Sequence, residues 1–379
     1  MGLLTIAAVG DISTGFEPPA SGFSHVTEAL QRADLRFAQC ERVYSDRGQF
    51  QEQAGSRHAR QSPRYASAFK EAAFDIVSIA SNHSGDWGPE AVEDTADTFR
   101  TLGIAAIGAG RDIQEARKPA VFTTKGVRIA FLAYVSASMP QYWATESRSG
   151  TAPMRAHTYY EPYEFQPGAP VRVVTVPHSA DLECLVRDVR DAKQNADLVF
   201  VSFHWGVHHT SRPCDYQVAV AHAAIDAGAA AIIGHHPHRP QSIEIYKGAA
   251  IFYSIGTFSI YHNPVHKEKA WRYCRPNGDF TEREVYTIEP DVGAVFDYHL
   301  HHDEGGIVYF DVDQKGIERV TYLPTLMNHA GQPEVLRPGQ QQFENSLAYL
   351  NWTGKFVPNG LTQIKAADNR YEIFRRDRA

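Results

Sequence analysis

Asp11, Glu41, Asn82-His83, His204 and the run His235-His236-Pro237-His238 lie far apart in the chain, yet each stands at the end of a β-rich apolar run. Two carboxylates, an amide oxygen and several imidazoles form a mixed oxygen and nitrogen set, suited to Mn, Fe, Zn or a related divalent ion and poorly suited to thiolate chemistry. A carboxylate between two ions can bridge them, and water bound across both loses a proton near neutral pH and becomes a nucleophile. In extended chain His236 and His238 point the same way, with Pro237 stiffening that geometry. Taken singly, each residue has a plainer reading. Asp11 caps a helix or turn, Glu41 is a surface carboxylate, Asn82 forms a turn, and His204 is a buried histidine satisfied by a carbonyl. Their co-occurrence carries the metal reading, and His236 with His238 is its strongest part. Whether His235 or His236 is the ligand is left open by the spacing.

An architecture that brings such residues together is the α/β sheet, where parallel strands end on one edge and ligands bind. Leu3–Val9 reads as the first strand, Ser24–Ala33 as a helix capped by Ser24, and Leu35–Glu41 and Asp75–Ser81 as strands ending in polar residues. Val92, Ala96, Phe99 and Leu102 share one helix face. Val121–Val135, broken at Lys125-Gly126, reads as a hairpin. Residues 138–170, rich in Tyr, Pro and Glu without sustained periodicity, are expected to form a long functional loop or lid.

Regular alternation then resumes. Leu182–Ala196 and Tyr216–Ala227 read as helices, Leu198–Phe203 and Ala229–Ile233 as strands, followed by a hairpin turning at Lys247-Gly248. Residues 261–302 form a second irregular insertion, and Ile307–Val312 with Ile317–Leu323 a closing hairpin. The alternation predicts an α/β fold with a mixed, helix-covered sheet. It assigns 1–324 to one domain and 325–379 to a C-terminal extension, packed on the same domain, in which the sequence identifies no chemistry.

With 379 residues, 43% hydrophobic and 21% charged, the chain has an ordinary globular composition and can bury a core without staples. A net charge of -7 argues against affinity won by neutralising nucleic acid or an anionic membrane. Cys40, Cys184, Cys214 and Cys274 are scattered, so neither a zinc ribbon nor a CxxC redox site is present, and reduced thiols are expected. The apolar run Leu3–Val9 is only a strand's length and lacks a charged leader. The expectation is a cytoplasmic protein with no membrane or nucleic-acid partner.

Val9-Gly10-Asp11, Ser81-Asn82-His83 with Asp86-Trp87-Gly88, His204-Trp205-Gly206, Gly234-His235-His236-Pro237-His238 and Tyr253-Ser254-Ile255-Gly256-Thr257-Phe258 together resemble the bacterial CapA family. That family is named for capsule and poly-γ-glutamate synthesis and falls within the calcineurin-like metallophosphoesterase superfamily. The resemblance runs in order from about Ile6 to Pro324. It implies a four-layer α/β/β/α sandwich of the calcineurin-like metallophosphoesterase type, with two divalent ions (Mn, Zn or Fe) at the strand ends. Asp11 would bind the first ion and Glu41 would bridge. Asn82, His204 and His236 would bind the second, and His238 would return to the first. His83 would face the substrate as general acid or as a clamp on developing charge, with Asp86 orienting it. The chain departs from the family pattern at three points. Ser13 stands where an imidazole is common, Gln39-Cys40-Glu41 replaces Asn-Leu-Glu, and Gly256-Thr257-Phe258 replaces Gly-Asn-Phe.

The leading expectation is a soluble divalent-metal-dependent hydrolase, with metal-bound hydroxide attacking a phosphoester of an anionic small-molecule or polymer substrate. The enzymatic alternative is the same centre acting on an amide or γ-glutamyl bond. A third reading is an accessory protein of poly-γ-glutamate or capsule biosynthesis that binds polymer without turnover; a bridging carboxylate beside a candidate acid argues against it. Substrate choice falls to the two insertions. Their Tyr142, Trp143, Tyr159, Tyr160, Tyr163, Trp271 and Tyr273 either stack on an aromatic or sugar group or pack on one another. Arg272 and Arg275 either recognise an anion or are solvated charge.

Overall fold

A computed structural model describes residues 2–51, 60–261, 301 and 303–376. The chain begins β1 (Leu4–Ser13), α1 (Thr27–Gln31), β2 (Leu35–Cys40), α2 (Ser67–Glu71), β3 (Ile76–Ser78), α3 (Pro89–Thr101) and β4 (Ala105–Ile107). There follow β5 (Ala109–Gly110), α4 (Ile113–Ala116), β6 (Ala120–Thr124), β7 (Val127–Val135), β8 (Gly150–Thr151), β9 (Ala156–Pro162) and β10 (Val171–Pro177). The third stretch is α5 (Ser179–Asn195), β11 (Leu198–His204), α6 (Asp215–Asp226), β12 (Ala231–His235), β13 (Ile243–Tyr246), β14 (Ala249–Phe252) and β15 (Thr257–Ile260). The last comprises β16 (Glu304–Asp313), β17 (Gly316–Met327), β18 (Pro333–Val335), α7 (Gln341–Thr353), β19 (Lys365–Ala367) and β20 (Arg370–Arg375).

Two large sheets result. One has the order β19-β20-β17-β16-β1-β2-β3-β4, with β15 beside β1 and β18 beside β17. The other runs β13-β14-β12-β11-β7-β6. In the first, β1 to β4 are parallel. In the second, β7, β11, β12 and β14 are parallel.

Side-chain alternation along the strands decides what packs where. In β1, Leu4, Ile6 and Ala8 join Ile129, Phe131 and Ala133 of β7 and Phe200 of β11 in a core shared by the two sheets. The alternate residues Ala7 and Val9 pack with Leu30, Phe69, Val92 and Phe99 from α1, α2 and α3. On the second sheet, Leu132, Tyr134, Val199 and Val201 pack with Leu185, Val189, Val220 and Ala224 from α5 and α6. Each strand therefore reads apolar on both faces, as a doubly covered parallel sheet requires. From the C-terminal segment, Phe343, Leu350, Tyr371 and Ile373 add to the core between the sheets.

Several sequence expectations are corrected. The described residues form two large sheets and two small two-stranded ones, where the alternation taken by itself suggested a single sheet. The helix at Ser24–Ala33 shortens to α1, because Ser24 ends a 3-10 turn over Pro19–Phe23, and its hydroxyl donates back to the Ser21 carbonyl. The first strand runs on to Ser13, so Asp11 lies within it. Part of the expected loop over 138–170 is instead the hairpin β9–β10, in register from Ala156↔Pro177 to Pro162↔Val171. The insertion 261–302 lies almost entirely outside the described residues, and Trp271, Arg272, Tyr273, Cys274 and Arg275 lie outside them. Cys40, Cys184 and Cys214 are free thiols. Among the described residues no helix is long and apolar enough to cross a membrane.

Candidate metal centre

The C-terminal ends of parallel strands from both sheets meet at one place. From the first sheet come Asp11 in β1, Glu41 directly after β2, and Asn82-His83 in the turn after β3. From the second, His204 closes β11, His235 closes β12, and His236 and His238 occupy the turn beyond. The β1 register shifts against β2 between Ala8 and Asp11, which locally reorients the strand at the carboxylate. Gly10 is needed beside it, because a Cβ there would sit 2.0 Å from the Gly256 carbonyl oxygen.

The site residues converge closely. His204 Nε2 lies 2.8 Å from Asn82 Oδ1 and 3.1 Å from His236 Nδ1, and 3.5 Å from Glu41 Oε1. His238 Nδ1 is 3.5 Å from Asp11 Oδ2, and its Nε2 is 3.4 Å from Glu41 Oε1. Two ligand sets emerge, each with its atoms within 4.8 Å of one another: Asp11, Glu41 and His238, and Glu41, His204 and His236. Glu41 belongs to both. Atoms bound at 2.0–2.3 Å to one ion stand roughly 3–3.5 Å apart, so these spacings are of the right size.

Hydrogen-bond accounting gives an independent test of fit. Asp11 Oδ1 and Glu41 Oε1 are buried and make no hydrogen bond in the structure. Buried polar atoms ordinarily have partners, and a cation would supply one. Electrostatics agree. Burial pushes the His204 and His236 imidazoles well below their ordinary value and His235 to about 3, leaving them neutral with lone pairs to offer. Burial, reinforced by the Glu41 charge, raises the Asp11 carboxyl well above the carboxylate range. For Glu41, burial acts upward but His238, His204 and His83 outweigh it and hold the group low. Burial would lower His238, yet Glu41 and Asp11 lift it to about 9. Two buried carboxylates thus lie close together, an arrangement that a cation would stabilise.

The His236 and His238 side chains reach the centre by a different route from the one expected. Their φ angles are 97° and 55°, so the segment is a left-handed turn and the alternation of extended chain does not apply. His235 lies in β12 proper, fully buried, with its ring 6.0 Å from Phe37 and its Nδ1 3.6 Å from Asp11 Oδ1. It falls outside both ligand sets.

His83 Nδ1 is 2.8 Å from Asp86 Oδ2, and the Tyr142 hydroxyl donates to Asp86 Oδ1 at 3.1 Å. A cleft of about 260 Å³ opens beside the centre, lined by Ser13, Glu41, Arg42, Arg60, His83, Asp86, Trp87 and His238 among others. Sequence reasoning missed Arg42 and Arg60. It also missed His208 and His209, whose rings lie 3.9 Å from His236 and 5.9 Å from His238 respectively. A second histidine pair after His204 was the available signal. Of the insertion aromatics, Tyr142 is buried against Asp86, while Tyr159, Tyr160 and Tyr163 are exposed on the β9–β10 hairpin and none lines the cleft.

Residues 5–261 match the family model described as bacterial capsule synthesis protein PGA_cap. The chain belongs to this family. It is 29% identical over 269 residues to the capsule biosynthesis protein CapA of Bacillus anthracis, covering 67% of this chain and 59% of that one. It is 25% identical over 344 residues to the PGA biosynthesis protein CapA of Bacillus subtilis, covering 88% of this chain and 77% of that one. A solved structure of a putative 5'-nucleotidase from Staphylococcus aureus overlays with a TM-score of 0.42 at 14% identity, covering 88% of this chain and 54% of that one.

Proposed function

We propose that this PGA_cap protein is a divalent-metal-dependent hydrolase acting on a phosphoester of an anionic small molecule or polymer. The observation that carries this reading is the pair of ligand sets sharing one buried carboxylate, Glu41, beside an open cleft. Asp11, Glu41 and His238 would hold one ion, and Glu41, Asn82, His204 and His236 a second, with Mn, Zn or Fe suited to the donors. Two sheets sharing a core with helices on their outer faces support the four-layer sandwich of the calcineurin-like metallophosphoesterase type.

Bound ions would supply Lewis acidity and lower the pKa of coordinated water. The chain does the rest. Glu41 would serve both positions, the neutral imidazoles of His204 and His236 would complete one, and His238, once deprotonated, the other. His83 faces the cleft from beside Asn82, so its ring can give a proton to a departing oxygen. Asp86 orients that ring, and Tyr142 in turn orients Asp86.

The test is hydrolysis of an aryl phosphate with added Mn, run beside release of glutamate from γ-glutamyl peptides. Metal-dependent release of phosphate supports the reading. Release of glutamate alone moves the same centre to an amide bond. Inactivity on both, with metal bound, favours an accessory role in polymer synthesis, the reading in keeping with the names of the Bacillus relatives.

A further inference from the structure

Arg42 directly follows Glu41 and lines the same cleft as Glu41, His83 and His238, yet the ligand sets leave it without a task. Its Nε donates to the Ser13 hydroxyl, and its Nη2 reaches the Tyr261 carbonyl only at 3.5 Å. A guanidinium carries five N–H donors, so most of this fork is not committed to protein acceptors. Among the described residues Arg42 forms no ion pair within 4.0 Å. A charged group withdrawn from bulk water without an opposite partner is costly, and a bound anion would offset that cost. The Ser13 contact fixes the Nε side and leaves the Nη1–Nη2 edge, a face matched to two oxygens of a carboxylate or phosphate. Across the cleft, Arg60 lies over the Trp87 ring at 4.3 Å and adds a second cation to the lining.

We propose that Arg42 is a substrate-binding residue whose fork holds an oxyanion beside the metal centre, with Ser13 as the positioning residue that aims it. The inference rests on the metal-centre reading but concerns binding, not turnover. The anion has two candidate sources, a phosphoryl group or a carboxylate, and the experiment separates them.

Orthophosphate and glutarate are titrated calorimetrically into the full chain loaded with Mn, alongside Arg42→Gln, Arg42→Lys and Ser13→Ala, with metal content measured for every protein. The parent protein is expected to bind at least one anion. Arg42→Gln should keep its metal and lose at least about ten-fold in affinity for that anion, the scale of one charge-assisted hydrogen bond. Arg42→Lys should recover only part, because a point charge lacks the fork, and Ser13→Ala should fall between. Loss confined to orthophosphate identifies a phosphoryl group, and loss confined to glutarate a carboxylate. The proposal is overturned if the parent binds neither anion, if Arg42→Gln binds as tightly as the parent, or if Arg42→Lys restores affinity in full. Should Arg42→Gln lose metal, Arg42→Lys with metal intact decides the matter by the same criterion. Arg42-dependent anion binding in a protein that hydrolyses nothing would count against the hydrolase reading alone.

Discussion

Glu41 is the member of the cluster whose loss should undo two sites at once, because it alone belongs to both ligand sets. The perturbation is Glu41→Gln, which keeps the volume and removes the charge, compared with His236→Gln, which touches one set. Each ion at a thousand-fold excess over its Kd stabilises the fold by about 4 kcal/mol. With an unfolding entropy of about 2.1 cal/mol/K per residue over 379 residues, two ions raise Tm by about 10 °C. His236→Gln should retain about half of that rise, whereas Glu41→Gln should retain almost none. Without metal the charge of Glu41 still stabilises the fold, because His238, His204 and His83 hold the group low and Glu41 in turn lifts His238 to about 9, so metal-free Glu41→Gln should melt below the metal-free parent. The assay is thermal unfolding with chelator and with excess Mn, beside elemental analysis. Equal loss of the metal-dependent rise in the two variants, or none in Glu41→Gln, would refute the sharing of Glu41.

His83→Gln should keep its metal and lose about 10²–10⁴-fold in kcat on a phosphoester with a poor leaving group, but far less on an activated aryl ester; equal effects on the two esters would remove the proton-donor role. His235 lies outside the ligand sets with both ring nitrogens buried and unbonded, so His235→Leu should leave metal content unchanged and be neutral or stabilising; elemental analysis and melting check both halves. Asp181 is held below the ordinary carboxylate range: burial acts to raise it, but the Arg155 fork at 2.6 and 2.7 Å, with the Arg155 N–H at 2.8 Å, more than offsets that. Its stabilisation is therefore present above the unfolded value of about 3.9 and fades as pH falls through the lower folded one. Asp181→Asn should cost about 1–2 kcal/mol at neutral pH and progressively less as pH falls below the unfolded value of about 3.9, read from urea midpoints.

The strands that carry the candidate ligands were legible because parallel strands covered on both faces read as apolar runs, and the polar residue that ends each run stands out. What the sequence concealed has physical reasons. The β9–β10 hairpin is largely exposed on both faces, so no buried stripe imposes an alternation to be read, and Tyr, Pro and Glu gave it the look of a loop. His236 and His238 both reach the candidate centre, but positive φ at each brings them there and not the alternation of an extended strand. Ser24 is a good helix-capping residue by type, but its hydroxyl closes the preceding turn instead. Arg42 follows the candidate ligand Glu41 with no spacing of its own to mark it. Its partners Ser13 and Tyr261 are brought close only by folding.

The candidate centre draws Asp11, Glu41 and Asn82 from one sheet and His204, His236 and His238 from the other. On the proposed metal reading neither sheet would supply a whole binding site alone, so a nascent or partly folded molecule would have no high-affinity trap for metal until the two sheets dock. Once captured, the ions would act as a rivet across the seam at one end of the sandwich. Amide exchange there, in the strand ends around Asp11, His204 and His235, should slow on metal loading far more than at the opposite edge near Leu4 and Leu198.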